Sequence, residues 1–438
     1  MKCHMATIEN ESVIPVGFWK TWTMASTVTP PRGMRDFLPR EKRRRDIVLD
    51  SIRSTYRSFG FDEIETPVVE DSSRLHAGLG GDNEKLAFAV MKRGLSTDDL
   101  RSAETALDLA DLGLRFDLTV PLARFYASHR AQLPAVFRAI QIAPVWRAER
   151  PQKGRYRQFV QCDIDIIGES SSMAEIELLS ATSAVLEDLG LVGTTIRIND
   201  RRILLALLSH WRVPVERFDT ALVIIDKLDK IGIDGVVTEL ADIGVPTDGL
   251  ADQLRELESA SWESVSGPVA PSWLDTAAFA DLVALREALP DARLEFSPTL
   301  VRGMGYYTGT IFEIAHPDFS YSLGGGGRYD GMIGRFLGAD VPAAGFSLGF
   351  ERLVDLVELP EGHGGAGLVL LYEKGLDPVE LVALQRRLVA TGRRVRLDRK
   401  AKNLTNQLSA LAIDGWSSFA LVRDAGVSLD ELEIRDLS

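Results

Sequence analysis

Apolar residues at Ile47, Val48, Ile52, Tyr56 and Phe59 recur on one helical face opposite an arginine- and lysine-rich side, which predicts a helix over 41–59 that Gly60 ends. The run 61–67 reads as a strand broken by Pro67. Charge-rich 84–113 predicts a hairpin and a mobile loop, and 114–120 a further strand ending at Pro121. Two runs, 139–146 and 159–167, read as the arms of a hairpin, followed by an amphipathic helix over 172–189 and a strand over 194–199. From 200 to 289 the chain turns helix-rich, acidic and broken by Gly and Pro, the character of an inserted module. Strand patterning returns at Ala292, passes through 307–315 and 320–323, and reaches the glycine run 324–327. A short buried strand over 342–350 leads into an apolar helix over 351–359 that Pro360 stops. Glycine-rich 362–367 is a linker by composition. Beyond it strands at 368–372, 395–397 and 419–422 alternate with helices at 378–390 and 403–413, which implies a small α/β domain with a largely parallel sheet.

Composition narrows the class. The 438 residues are enough for two or three domains, and 45% hydrophobic with 26% charged residues is ordinary for a globular chain. With a net charge of −13, any nucleic-acid contact has to come from a local basic patch. Cys3 and Cys162 are the only cysteines, which argues against a disulfide scaffold or a structural zinc site and fits a reducing cytoplasm. His76, His129, His210, His316 and His363 lie without ligand spacing, so no metal site is assigned. No apolar run approaches the roughly eighteen residues needed to span a bilayer. Residues 1–29 lack periodicity and the pattern of a signal peptide, and read as a disordered or non-native extension with Met24 as an alternative start.

Three stretches carry chemistry. Between the two arms of the predicted hairpin lie Arg147, Arg150, Lys153, Arg155 and Arg157, wrapped around Pro151 and Gly154, a loop suited to phosphates because the guanidinium fork grips their oxygens bidentately. The second, 301–313, sets Arg302 among glycines beside Tyr306 and Tyr307, one fixed charge with apolar walls and hydroxyl handles. In the third, 343–352, small residues run into a helix whose first turn holds Glu351 and Arg352, leaving room for an adenine ring and a cation for a terminal phosphate. Taken alone, each admits a plainer reading: a basic surface turn, a glycine-rich β-turn over core tyrosines, a tight strand–helix junction.

Together, and in this order, they resemble the class II aminoacyl-tRNA synthetases, and within them the histidyl-tRNA synthetases, over essentially 30–437. Residues 61–67 look like motif 1, 147–168 like motif 2 and 345–352 like motif 3; 302–308 and 323–331 resemble the histidine-specific signatures, and 115–121 the segment that receives the amino group. The resemblance implies an α+β catalytic domain with an antiparallel sheet flanked by helices, divided as 30–199 and 291–361, a helical insertion over 200–290 and an α/β anticodon-binding domain over 362–438. It implies ATP as substrate with Mg²⁺ carried on it, L-histidine and tRNA(His) as partners, and a homodimer built on the motif 1 element.

Roles follow at matching positions. The resemblance puts Arg147 on the α-phosphate and Arg352 on the γ-phosphate, with Arg155 facing the polyphosphate, Glu149 reading the adenine amino group and Phe159 stacking on the ring. Arg302 resembles the family's catalytic arginine, neutralising the carboxylate and α-phosphate together. Asp117, Thr119 and Gln161 hold the α-ammonium; Asp165 and Tyr307 bracket the imidazole, with Tyr306 and Tyr329 beside them. Two departures stand out. Gly305 replaces the Asp that many members carry before the tyrosine pair, and the chain ends at Ser438, soon after the alternating run 432–437, where a further strand and helix are expected. The basic run Arg393, Arg394, Arg396, Arg399, Lys400 and Lys402 is either a solvated face or a tRNA phosphate patch centred on Arg396, Arg399 and Lys400. Two other functions compete: the non-catalytic regulatory subunit of ATP phosphoribosyltransferase, which loses the motif arginines, and a histidine-adenylating paralogue with a non-tRNA acceptor.

Overall fold

A computed structural model describes residues 28–75, 86–151, 154–267, 269–302, 305–358 and 367–437. The 1–27 part of the N-terminal extension, with Met24, and 362–366 of the linker lie outside the described residues.

The centre is an eight-stranded sheet in the spatial order Asp62–Glu63, Phe137–Trp146, Gln158–Ile167, Ala343–Gly349, Phe319–Arg328, Thr310–His316, Thr195–Asp200 and Leu294–Phe296. All interior pairs are antiparallel, and the two outermost pairs are parallel. The last of these strands in sequence, Ala343–Gly349, is thus fourth in space.

Side chains alternate between faces along a strand, so each row of cross-strand partners belongs to one face. Ile140, Ile164, Phe346, Gly326, Phe312, Ile198 and Phe296 form one such row. They pack against Val48, Ile52 and Tyr56 of the helix Pro39–Ser58, Leu178 and Val185 of Met173–Asp188, Leu282 and Leu285 of Thr276–Ala288, and Leu353 of Phe350–Leu356. Each such side chain contributes about 1.5–3 kcal/mol on burial. The adjacent row, Gln141, Asp163, Ser347, Gly325, Glu313, Arg197 and Glu295, belongs to the other face and is almost wholly polar.

Several expectations need correcting. The 61–67 run places only Asp62–Glu63 in the sheet, because Pro67 has no N–H and Arg115 Nη1 takes the carbonyls of Thr66 and Pro67 at 2.7 and 3.3 Å. The strand expected over 114–120 ends at Leu114. Thr119–His129 is a helix with Pro121 in its first turn, where a missing N–H costs nothing. The strand patterning read over 320–323 runs on through glycines 324–327, which lie within the strand Phe319–Arg328. The hairpin expected in 84–113 is present: Phe88–Met91 pairs antiparallel with Ala110–Leu114, joined by a connection that holds the helix Thr97–Ser102, and Val69–Asp71 completes a three-stranded sheet.

Residues 201–288 carry a run of helices from Arg201–His210 to Thr276–Ala288. At the C-terminal end a four-stranded sheet has the order Arg394–Arg399, Gly367–Tyr372, Ser418–Val422 and Ile434–Asp436, the first three parallel and the last antiparallel. The first helix reaches this unit: Arg43 Nη2 donates to the Asp414 carbonyl at 2.5 Å, at the end of the helix Leu404–Ile413. Among the described residues no helix is long and apolar enough to cross a membrane.

Candidate functional site

The polar face of the sheet brings Gln161, Asp163 and Asp165 together, because alternate residues of Gln158–Ile167 share a side. Asp117 joins them from the turn before Thr119–His129, where its Oδ1 accepts the Val120 N–H at 3.2 Å and so starts the helix. All four are buried, with Asp117 2% exposed and Asp163 and Asp165 4% each. Burial lifts the Asp117 carboxyl to about 6, against the lowering pull of the Val120 N–H and Arg147. It lifts Asp165 to about 7, although the Tyr329 hydroxyl donates to Oδ1 at 2.6 Å. Asp163 is pushed well above the carboxylate range, first by burial and then by Asp165. Within this cluster Asp117 Oδ2 and Gln161 Oε1 are buried without a hydrogen-bond partner.

Aromatic rings close the acidic end. Tyr306 lies 4.7 Å from Tyr307 and 6.0 Å edge-on from Tyr329, centroid to centroid, and burial pushes its hydroxyl well above its ordinary range, against a lowering pull from Thr119. A Cβ at position 345 would come 2.0 Å from Asp165 Oδ1, so only glycine lets the central strand pass behind that carboxylate.

Beside the acids stands a group of arginines. Arg302 Nη1 donates to Glu313 Oε2 at 2.7 Å, and a Cβ at position 325 would meet its guanidinium carbon at 2.7 Å, so the glycine run is the floor on which this cation lies. Burial lowers the Arg302 pKa, but Tyr307, Glu313 and Asp226 outweigh it and hold the group above its ordinary value. Arg147 Nε donates to the Phe116 carbonyl at 3.0 Å and its guanidinium lies 5.1 Å from the centre of the Phe159 ring. Arg352 donates to the Ser322 carbonyl and sits 5.5 Å over Tyr321; burial, with Arg155 and Arg302 nearby, pulls its pKa down. It stays charged at any working pH. Arg155 and Glu149 form a 3.4 Å ion pair at the mouth. The helix bearing Arg352 is anchored by Glu351, which accepts from Arg45 at 2.5 and 2.7 Å, from Arg35, and from the Val160 N–H at 3.2 Å.

Asp117, Thr119, Arg147, Gln161, Asp165, Arg302, Tyr306, Tyr307, Tyr329 and Arg352 are thus brought together, whereas Lys153 lies outside the described residues. Arg396, Arg399 and Lys400 lie apart, on the C-terminal sheet, where Arg396 pairs with Asp398 at 2.8 Å and Lys400 with Glu373 at 3.0 Å. Asp163, Ser347 and Glu313 were missed. The alternation of Gln161, Cys162, Asp163, Ile164 and Asp165 was enough to put Asp163 on the polar face; Ser347 and Glu313 needed the register.

Comparison with known proteins agrees with this geometry. The family model described as "Histidyl-tRNA synthetase" matches residues 33–353. The histidine–tRNA ligase of Leifsonia xyli subsp. xyli is 59% identical over 430 residues, covering 95% of this chain and all of that protein. The probable histidine–tRNA ligase of Tropheryma whipplei is 41% identical over 408 residues, 90% of this chain and 95% of its own. The crystal structure of histidyl-tRNA synthetase from Nostoc sp. PCC 7120 superposes with a TM-score of 0.73 at 26% identity, covering 94% of this chain and 95% of that one. A Bacillus halodurans structure titled as an ATP phosphoribosyltransferase regulatory subunit/histidyl-tRNA synthetase shares the fold, with a TM-score of 0.71 at 23% identity over 91% of this chain and 98% of that one. Buried acids, packed tyrosines and converging arginines thus sit on a chain that belongs to the histidyl-tRNA synthetase family.

Proposed function

We propose that this pocket performs the histidine–tRNA ligase reaction of its family, with the acidic end taking histidine and the arginine end taking ATP. An oxygen of the histidine carboxylate attacks the α-phosphorus, the bond to the bridging oxygen breaks, and pyrophosphate leaves. A terminal ribose hydroxyl of tRNA(His) then attacks the acyl carbon, forming the ester and releasing AMP. Arg302 and Arg147 bring the two anions together, which fixed cations do without reorganising. Arg155 and Arg352 take the outer phosphates, Glu149 and Phe159 the adenine. Asp117, Thr119 and Gln161 hold the α-ammonium, while Asp165, Tyr306, Tyr307 and Tyr329 enclose the imidazole.

The observation that carries this reading is the pair of buried, unpartnered acceptors on Asp117 and Gln161 beside converging Arg147, Arg302 and Arg352. The same arginines disfavour a non-catalytic regulatory subunit, and the 59% relative disfavours a non-tRNA acceptor. Mg²⁺ enters on the phosphates of ATP; among the described residues no group of three His, Cys, Asp or Glu side chains is set to hold a metal. The remaining assignments belong to the same proposal: a homodimer through the first helix and 61–67, a catalytic core over 30–199 and 291–361, an insertion over 200–290, anticodon binding by 362–438 through Arg396, Arg399 and Lys400, and a cytoplasmic location. Charging of purified tRNA(His) with labelled histidine, beside histidine-dependent pyrophosphate exchange, tests it. Exchange as fast with another amino acid would overturn the substrate, and exchange without charging would restore the non-tRNA acceptor.

A further inference from the structure

Gln161 has an amide whose two ends are nearly the same size and opposite in hydrogen-bonding sense. In the pocket only one end is held. Its Nε2 donates to Ser347 Oγ at 3.0 Å and lies 3.4 and 3.5 Å from the two Asp163 carboxylate oxygens. Its Oε1 is buried and has no partner. Asp163 and Ser347 are direct cross-strand partners, and Asp163 is two residues from Gln161 on the same strand face, so all three project to one side of the sheet.

We propose that Asp163, supported by Ser347, is a positioning residue that fixes the Gln161 amide with its carbonyl, rather than its NH₂, turned to the α-ammonium of the amino-acid substrate. This rests on the assignment of the acidic end to histidine. A flipped amide would give up the Nε2 contacts with Ser347 Oγ and the two Asp163 oxygens and present two N–H donors to a cation, losing on both sides. As placed, Gln161 Oε1 and Asp117 Oδ2 are two buried acceptors lacking donors, a costly state that an ammonium relieves. Asp117, Asp165 and Arg147 are the other charges that act on these groups. Asp163 touches neither the imidazole nor the carboxylate of the substrate in this account; it acts through Gln161.

Three probes separate orientation from general packing: histidine, histidinol, which keeps the ammonium but lacks the carboxylate, and 3-(imidazol-4-yl)propionate, which keeps the carboxylate but lacks the ammonium. Asp163→Ala is expected to weaken histidine and histidinol by about tenfold while leaving the propionate within about twofold, with KM for histidine raised and kcat at saturation little changed. Asp163→Asn, which still offers an acceptor, is expected to recover part of the loss, and Ser347→Ala to show the same selective pattern more weakly, whether or not Asp163→Ala folds. Equal weakening of all three probes, or no weakening of any, overturns the inference. A wild-type enzyme that binds neither histidine nor histidinol overturns the histidine assignment, and this inference with it.

Discussion

At the acidic end of the pocket, Asp117, Asp163 and Asp165 are sealed from solvent and two acceptors face no donor. At the cationic end every arginine already has an internal partner, Arg147 the Phe116 carbonyl, Arg302 the Glu313 carboxylate, Arg352 the Ser322 carbonyl and Arg155 the Glu149 carboxylate, and Arg155 remains 51% exposed. In the proposed function the first end selects by its buried acceptors, because a ligand lacking the right donors leaves them stranded. The second is a set of fixed cations already ordered by carbonyl and carboxylate partners. The two ends of the proposed site are thus built by opposite means.

The sharpest way to break this contrast is Arg302→Ala. Removing the cation that bridges both ends is expected to lower histidine-dependent pyrophosphate exchange about a thousandfold, roughly 4 kcal/mol, and an unimpaired variant would end the assignment. Asp117→Asn keeps the shape but removes the charge facing the ammonium; kcat/KM for histidine is expected to fall about a hundredfold with KM for ATP nearly unchanged. Comparable losses for both substrates would show that the two ends are not separable. Arg352→Ala is the converse case, raising KM for ATP about tenfold while leaving histidine affinity alone, as equilibrium binding of each ligand would show.

The acidic end also predicts a pH dependence. With Asp117 at about 6 and Asp165 at about 7, the native state binds protons that the unfolded chain has released, so this stabilisation is full below about pH 4 and is lost as the pH rises through 6 to 7. Thermal melts of the ligand-free protein are expected to show Asp165→Asn losing less stability than wild type over that window, by about a few degrees. An identical slope would mean that Asp165 titrates normally. The smallest effect is expected outside the pocket. Reversing Arg396, Arg399 and Lys400 to Glu is expected to raise KM for tRNA about two- to fivefold and reduce its salt dependence, leaving pyrophosphate exchange untouched. Asp398 and Glu373 already offset two of these charges. Unchanged charging would make the run a solvated face.

Much of this was legible in the sequence where one periodicity dominated. Ile47 to Phe59 declared a helix, and the runs 139–146 and 159–167 the arms of a hairpin, which the structure extends to 137–146 and 158–167, because their apolar residues answer to a single buried surface. Where backbone and side chain disagreed, the reading failed. Pro121 looked like a terminator yet sits at a helix start, and strand patterning read only to Leu323 runs on through four successive glycines beneath Arg302. Asp163 and Glu313 escaped notice because their importance lies in their cross-strand neighbours, Ser347 and Gly325, which come from sequence-distant segments.

The placement of Ala343–Gly349 bears on biosynthesis. It is the last of the eight strands to leave the ribosome, yet it fills the gap between Gln158–Ile167 and Phe319–Arg328. Until it arrives, the nascent sheet exists as two halves, each with a raw edge of unpaired N–H and C=O groups, the very surface that recruits stray strands. Arg45, made at the start, likewise waits through a separation of 306 residues for Glu351. A polypeptide stalled before 343 therefore holds no closed sheet and lacks both Glu351 and Arg352, and its open edges are exposed to chaperones and to aggregation.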